Sequence, residues 1–402
     1  MSLMPVSEAL QRLLASAAGH AAQPGRTLAL TEALGQVLAE PVRSAMDVPP
    51  WDNSAMDGYA LASADLPQAL AEGLQVSQRI TAGVAPAPLL PGSCARIFTG
   101  APMPAGADMV QMQENVELLP DGRVRLLQAA AAGDNVRRRA QDIAVGDVLL
   151  AAGTRLRAQD LGVVASVGIN QAAVRTPLRV AVVSTGDELV EPGQPLNPGQ
   201  IYNSNRFTLI GLLQGLGQTV VDAGILPDDL TATRERLQQL AEQADVIITS
   251  GGVSVGEADC LGQALREAGE VELWKLAIKP GKPFTLGHYA GVPVLGLPGN
   301  PAATLVTFLL LVRPYLLARL GAVDVAAPVY RLPAGFAWLR AGGREEYLRA
   351  HVDNGVVMLS GNQSSGVLST ASRASGLLRV PAGRTFEAGE QVEFLPFSGL
   401  LG

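Results

Sequence analysis

The stretch Thr249-Ser250-Gly251-Gly252-Val253-Ser254-Val255-Gly256-Glu257-Ala258-Asp259 follows the apolar run Val246-Ile247-Ile248 and precedes a helical pattern from Cys260. A strand feeding a Gly/Ser loop and a helix start leaves backbone N–H groups free for an anion, with the positive end of the helix dipole behind them. Glu257 and Asp259 in the same loop would repel a bare phosphate. A hard cation such as Mg²⁺, bridging carboxylate and phosphate, reconciles the two. One Gly-rich loop is equally an ordinary strand-to-helix turn, so the neighbouring segments decide.

Two more strand-like runs end in the same manner. Arg179–Val183 leads into Ser184-Thr185-Gly186-Asp187-Glu188-Leu189, and Val292–Leu297 leads into Pro298-Gly299-Asn300-Pro301. Open α/β sheets bind ligands beyond the carboxyl ends of their strands. Ser184, Gly251, Gly252, Ser254, Pro298, Asn300 and Pro301 are therefore candidate substrate contacts, and Glu188 and Asp259 candidate catalytic acids and metal ligands. Between these runs, Trp274–Pro283 carries Lys275, Lys279 and Lys282. Its prolines around a Gly-Lys pair make a rigid turn, which favours an anion-binding role over a solvated face.

Composition narrows the partners. A chain of 402 residues is expected to hold two to four domains. Hydrophobic residues make up 48% but aromatics only 4%, so the cores must be built from Leu, Val, Ile and Ala. A net charge of −7 argues against nucleic acid or an anionic membrane as the main partner, leaving anions to local basic clusters. Two cysteines without CxxC spacing and three histidines cannot assemble a zinc or iron–sulfur site, and a disulfide scaffold is not expected. The N-terminal residues lack the pattern of a signal peptide. The apolar run Ala302–Val312 is interrupted by Arg313-Pro314 and is too short to span a bilayer. The expectation is a soluble, cytoplasmic protein.

Periodicity gives the organisation. Leu10, Leu13, Leu14 and Ala17 mark an amphipathic helix from Ser7 to about Ala18, and a second helix is expected over Thr31–Ala39. From Val42 to about Ala140, short runs separated by Pro and Gly predict an all-β, barrel-like unit. A helix near Ala158–Val167 then resembles the first 40 residues in character. From Leu178 to Ala327 strands and helices alternate as in a doubly wound α/β domain. A helix over Ala302–Leu320 ends that domain, and a small β domain follows. The predicted boundaries are a discontinuous N-terminal domain (1–45 plus 141–177), an inserted β domain (46–140), an α/β domain (178–327) and a C-terminal β domain (328–402).

More chemistry-bearing residues lie outside the α/β segment. Asp52–Ala60 packs small, polar and turn-prone residues after a proline pair, making Asp57 a candidate for substrate or metal contact. Phe98-Thr99-Gly100 places a hydroxyl suited to a substrate clamp. Arg137-Arg138-Arg139, with Asp142 three residues on, is either a solvated face or a polyphosphate site read by forked guanidiniums. Arg344-Glu345-Glu346-Tyr347-Leu348-Arg349 alternates as a strand. Met56, Met103, Met109 and Met112 read as core filler.

Together these motifs resemble the MoeA family of molybdopterin molybdotransferases, related to the E domain of gephyrin. The resemblance rests on Asp52–Ala60, Ile97–Pro102, Asn135–Asp142, Ser184–Leu189, Ile201–Asn205, Gly251–Asp259, Trp274–Pro283 and Pro298–Pro301, and so covers essentially the whole chain. It implies a multidomain α/β and β fold whose central doubly wound domain is molybdopterin-binding-like. It further implies a homodimer with its active site completed by the partner's inserted domain. The implied reaction is Mg²⁺-dependent insertion of molybdate into adenylylated molybdopterin with release of AMP. Carried over by motif, the acids fall on Asp57, Asp142, Glu188, Asp228 (or the adjacent Asp229) and Asp259. The binding residues fall on Thr99, Arg137, Lys275, Lys279, Pro298, Pro301, Arg349 and a serine of the Ser369–Ser372 stretch, taken as Ser372. Partners implied are a molybdopterin adenylyltransferase and molybdoenzyme-maturation proteins. The chain departs from the family at Ala140-Gln141, where Gly-Glu is usual, and at Ala302-Ala303, where Val-Ser is usual; Thr304 is the neighbouring hydroxyl that could compensate. A molybdopterin adenylyltransferase or nucleotide pyrophosphohydrolase is the competing enzyme reading, and a scaffold the competing non-enzyme one.

Overall fold

The computed structural model of the protein describes residues 3–252, 260–268 and 271–400. It forms two compact units, one of Met1–Glu40, Ala152–Arg157 and Ala172–Gly402, the other of Pro41–Ala151 and Ala158–Gln171.

The first unit opens with helix α1 (Val6–Ala18), which buries Val6, Ala9, Leu13 and Ala17. The helix expected over Thr31–Ala39 is absent: only a 3₁₀ turn, Leu30–Glu32, forms. Gly35 takes φ +75°, a left-handed conformation that ends helical propagation, and Val37 and Leu38 instead bridge to Arg155 and Val174.

The α/β part contains β1 (Arg179–Thr185), α2 (Ser204–Gly215), β2 (Thr219–Leu226), α3 (Leu230–Gln243), β3 (Val246–Ser250), α4 (Cys260–Glu267) and β4 (Val271–Lys275). After the short strand β5 (Ile278–Lys279) come β6 (Pro283–Tyr289), β7 (Val292–Leu297) and helix α5 (Pro301–Arg319). Sheet order is β2-β1-β3-β7-β6-β4, with β2, β1, β3 and β7 parallel and β6 antiparallel to its neighbours. The central strands are apolar on both faces because helices cover both. Val180 and Val182 join the core that includes α1 and α5, whereas Ala181 and Val183 face α3 and α4. The chain leaves β1 to one side for β2 and returns to the other for β3, so the order reverses at β1/β3, the place where such sheets bind ligands.

Helix α5 is long and apolar enough to cross a membrane by length and composition, but 83% of its apolar window is buried inside the protein, as in a core helix. Arg313-Pro314 does not end it. Pro314 cannot donate a backbone hydrogen bond, and a π-helical segment, Phe308–Val312, absorbs the mismatch. The buried Arg313 guanidinium donates to the carbonyls of Val325 and Gly399.

A second six-stranded sheet follows from β8 (Tyr330–Pro333), β9 (Glu345–Asp353), β10 (Val356–Leu359), β11 (Gly376–Val380) and β12 (Gln391–Pro396), in the order β5-β9-β11-β12-β8 with β10 on β9. The strand β5 leaves the α/β sheet to pair with β9, placing Lys279 opposite Glu346.

The second unit contains a six-stranded sheet in the order Met109–Met112, Gly58–Leu61, Ser93–Ile97, Leu74–Ile80, Arg123–Leu126 and Val116–Leu118. Its strands alternate between two small cores: Tyr59 and Leu61 face one, Ala60 the other. Two short pairs, Val42–Arg43 with Val148–Leu150 and Asn53–Ser54 with Val136–Arg137, tie the ends of the segment together. Met109 and Met103 pack in these cores, but Met56 is exposed and is not filler. Neither cysteine forms a disulfide, and burial pushes the Cys94 thiol up to about 12.

Candidate functional site

The strand ends of the α/β sheet lie level. Ser184 of β1 is in register with Ser250 of β3, and Ser250 with Leu297 of β7. Beyond them Gly251 N–H donates to the Leu297 carbonyl at 3.2 Å. Gly251 and Gly252 take φ +86° and +60°, and a Cβ on Gly251 would meet the Thr185 carbonyl at 2.7 Å, so only glycine fits this close approach. Ser184 is fully buried and bonded to Asn203 Oδ1 and Ser250 Oγ, each at 3.2 Å, so its hydroxyl braces the crevice instead of facing solvent. Around it, Thr185 Oγ1, Asn203 Nδ2 and Asn205 Oδ1 are buried without a partner among the described residues. Unpaired buried polar atoms are costly, and this cluster fits a polar ligand at the β1/β3 crevice. The readings on Ser254, Glu257 and Asp259 lie outside the described residues.

Acidic groups gather at the ends of β1 and β2. The Asp228 backbone N–H donates to Asp187 Oδ1 at 3.1 Å. Partial desolvation, then the negative charges of Asp187 and Glu188, raise the Asp228 carboxyl above its ordinary value. The neighbouring Asp229 is spent otherwise: it is the N-cap of α3, accepting from the Ala232 N–H at 2.7 Å. Of the two aspartates, Asp228 is the one that faces the other acids. Among the described residues no three acidic, histidine or cysteine groups form a ready-made metal cage. Mg²⁺ characteristically takes one or two carboxylates and completes its shell with phosphate oxygens and water, which a partial acidic set whose charges repel one another can accommodate.

Further along the same strand ends is a cavity of about 450 Å³. Its walls are Lys279–Pro283, Pro298–Asn300, Ala303, Arg344 and Gln363–Ser365. Among the described residues three cations and no carboxylate line it. The cavity sits at the N-terminal end of α5, where Pro301 occupies the first turn and Asn300 caps without using its side chain. Asn205 Nδ2 anchors the Gly299 carbonyl at 2.7 Å. Gly281 (φ +111°) has Thr307 Cγ2 where a Cβ would be, at 2.5 Å, so the Lys279–Lys282 turn lies tight against α5. Lys279 Nζ is 3.0 Å from Glu346 Oε2.

The structure places the other expected residues as follows. Arg349 is fully buried and is not among the residues that line the cavity: Nε donates to Thr370 Oγ1 at 3.2 Å, and Nη2 donates to the carbonyls of Asn362 (3.0 Å) and Ser364 (2.9 Å). It holds the cavity wall in place. Ser372 lies in a separate apolar groove with Phe207 and Phe397; the cavity hydroxyls are those of Ser364 and Ser365. Lys275 is exposed at the end of β4, away from the cavity lining. Thr304 does not replace a hydroxyl at Ala303, because it is buried and donates to the Pro298 carbonyl at 2.6 Å. Arg344, Gln363, Ser364 and Ser365 were not singled out from the sequence. The Gly361–Gly366 composition signals a loop and nothing more, and only the buried Arg349 beside it hints at what fixes that loop.

The second unit carries its own polar cluster. Asp57 Oδ1 accepts from both the Thr99 N–H (2.7 Å) and the Thr99 hydroxyl (2.8 Å). These bonds, and after them the Arg96 charge, hold the Asp57 carboxyl below its ordinary value. The three arginines differ. Arg138 pairs with Asp52 at 2.7 Å and Arg139 with Asp47 at 2.5 Å, whereas Arg137 is exposed and has no carboxylate partner among the described residues. Asp142 is exposed, its N–H bonded to the Val48 carbonyl. Gln141 Oε1 accepts from the Arg138 N–H at 3.1 Å, supplying the acceptor a glutamate would.

Comparison with known proteins gives concordant matches. The model of the MoeA N-terminal region (domain I and II) matches residues 4–168, that of a probable molybdopterin binding domain residues 181–318, and that of the MoeA C-terminal region (domain IV) residues 331–397. The molybdopterin molybdenumtransferase of Haemophilus influenzae is 40% identical over 383 residues, covering 93% of this chain and 94% of the relative. That of Nostoc sp. is 40% identical over 371 residues, covering 89% and 85%. A solved molybdopterin biosynthesis MoeA protein from Pyrococcus horikoshii OT3 superposes with a TM-score of 0.83 at 28% identity, covering 98% of this chain and 100% of that one.

Proposed function

We propose how this chain works from one established premise: it belongs to the MoeA family of molybdopterin molybdenumtransferases and is a transferase of molybdenum cofactor biosynthesis. The reaction we infer is insertion of molybdate into adenylylated molybdopterin with release of AMP, assisted by Mg²⁺. The observation that carries this reading is the cavity at the start of α5, lined by Lys279, Lys282 and Arg344 and, among the described residues, by no carboxylate. A tetrahedral dianion is matched by ammonium and guanidinium donors beside the positive end of a helix.

In this reading the cavity takes molybdate and the adjoining β1/β3 crevice takes the pterin nucleotide, whose polar groups pair with Thr185, Asn203 and Asn205. Cleaving the phosphoanhydride needs an oxygen nucleophile in line with the leaving AMP. Glu188, just beyond β1, orients that oxygen. Mg²⁺ held by Glu188, Asp228 and Asp259 would neutralise charge on the phosphoryl oxygens. Asp57, Thr99, Arg137 and Asp142 act from the second unit of the partner in a cytoplasmic homodimer. The adenylylated substrate comes from an adenylyltransferase, and the product passes to proteins that mature molybdoenzymes.

The test is AMP release by purified protein supplied with adenylylated molybdopterin, with and without molybdate. Release should require molybdate and rise with Mg²⁺. An equal rate without molybdate would replace this reading with a nucleotide pyrophosphohydrolase.

A further inference from the structure

Arg96 stands at the centre of the second unit's polar cluster without being one of its acids or hydroxyls. It lies on the strand Ser93–Ile97, half-buried, directly across from Tyr59 on one side and Arg79 on the other. Nη1 donates to the Gly58 carbonyl at 3.1 Å and Nη2 to Gln113 Oε1 at 2.5 Å. The guanidinium stacks 5.1 Å from the Tyr59 ring centre and 4.7 Å from that of Phe98.

Three of these partners adjoin Asp57 or Thr99. Gly58 follows Asp57 in the chain, Phe98 precedes Thr99, and the Gln113 N–H donates to the Asp57 carbonyl at 3.1 Å. Gly58 is itself clamped, since a Cβ there would sit 1.9 Å from the Gln111 carbonyl oxygen. Among the described residues no carboxylate pairs with Arg96. Its charge is spent on neutral acceptors and two rings, an arrangement that needs a planar fork and that a lysine cannot reproduce.

We propose that Arg96 is the positioning residue of this cluster, fixing the Asp57 carboxylate and its Thr99 donors in one geometry through the Gly58, Gln113 and Phe98 contacts. The inference rests on the reading of Asp57 as a functional acid. A carboxylate misplaced by an ångström loses most of its value in turnover while substrate binding elsewhere is kept.

The experiment uses the full chain and molybdate-dependent AMP release from adenylylated molybdopterin. Arg96→Ala should lower kcat by about tenfold to a hundredfold with KM within about twofold. It should also move the acid limb of the kcat profile to higher pH, because removing a cation raises the Asp57 carboxyl. Arg96→Lys should recover the acid limb more than the rate. In an Asp57→Asn background Arg96→Ala should cost no more than about twofold further, since the group it positions is gone. Arg79→Gln, which stacks on Phe98 at 4.8 Å without touching Gly58 or Gln113, is the control and should keep the wild-type profile.

A rise in KM with kcat unchanged would make Arg96 a substrate contact and overturn the proposal, as would full additivity with Asp57→Asn or an equal loss in Arg79→Gln. If Arg96→Ala fails to fold, Arg96→Gln gives the same readouts. Asp57→Asn at near wild-type rate removes the reading of Asp57 itself. An impaired Asp57→Asn beside an unimpaired Arg96→Ala removes only this proposal.

Discussion

Replacing Lys279 by alanine separates the charge of the cavity from its architecture. Lys279 Nζ sits 3.0 Å from Glu346 Oε2, and the two side chains are 53% and 8% exposed. Apart from this ion pair Glu346 Oε2 has no partner among the described residues, so Lys279→Ala leaves a buried carboxylate without its cation. Breaking a fully buried pair costs about 3–5 kcal/mol. Because half of the lysine is in water, about 1–2 kcal/mol is the expectation here. For binding, one unit charge about 4 Å away is worth about 1 kcal/mol at the dielectric of water, and a dianion doubles this to about 2 kcal/mol, about thirtyfold in affinity.

Calorimetric titration of molybdate and thermal unfolding read the two effects. Lys279→Ala should weaken molybdate binding about thirtyfold and lower the unfolding midpoint. Lys279→Ala/Glu346→Gln should regain stability while recovering only part of the affinity. Wild-type affinity should also fall with salt as the Debye length shrinks from ~10 Å to ~3 Å. Equal losses for molybdate and for the pterin nucleotide would assign Lys279 to the nucleotide and refute the reasoning.

The Asp228 carboxyl is raised, so its proton stabilises the fold below the ordinary carboxylate value and that contribution is lost as pH rises through the folded value. Asp228→Asn should therefore raise the unfolding midpoint at neutral pH while impairing AMP release, and Mg²⁺ should stabilise wild type more than the variant; a lower midpoint at pH 7 would contradict this. Ala140 is held at φ +58°, where a non-glycine residue loses about 1–2 kcal/mol, against about 0.5–1 kcal/mol that glycine loses in entropy. Ala140→Gly should accordingly be neutral to slightly stabilising in denaturant melts, and a clear loss of stability would show the strain is not there. If the site is completed in trans, inactive Asp57→Ala and Glu188→Gln subunits should regain activity on mixing, and a fully active monomer in sedimentation would exclude it.

Much of the α/β core is legible because its strands are unbroken apolar runs between turn residues, as in Val180–Val183 and Val246–Ile248, and α3 begins at a cap the sequence displays. The strand β6 is not legible. Pro283 opens it and Gly287 and His288 interrupt it, so its pattern reads as the tail of the lysine turn; it is a strand because β4 and β7 supply hydrogen-bonding edges on both sides. The same limit applies to the cavity. Lys279, Lys282, Pro298 and Asn300 announce themselves through local composition, but Arg344 and Gln363–Ser365 reach it only because β5 crosses to pair with β9, a tertiary event without a local signature.

Arg349 shows what a motif leaves out about a residue's contacts within the fold. A buried guanidinium is tolerated only when its donors are met. Here the acceptors come from the loop that forms the far wall of the cavity. Arg349 N–H donates to Gln363 Oε1 at 2.8 Å while Gln363 Nε2 returns to the Arg349 carbonyl at 3.0 Å. Asn362 and Ser364 offer their carbonyls to Nη2, which leaves Ser364, Ser365 and the Gln363 segment facing the cavity. Removing the Arg349 side chain would thus free the wall as well as a charge, with its three hydrogen bonds, to the Asn362 and Ser364 carbonyls and to Thr370, lost at once. The part of Arg349 still unpaired among the described residues is Nη1. The family resemblance gives Arg349 as a binding residue; the structure places its hydrogen bonds on the loop that shapes the cavity.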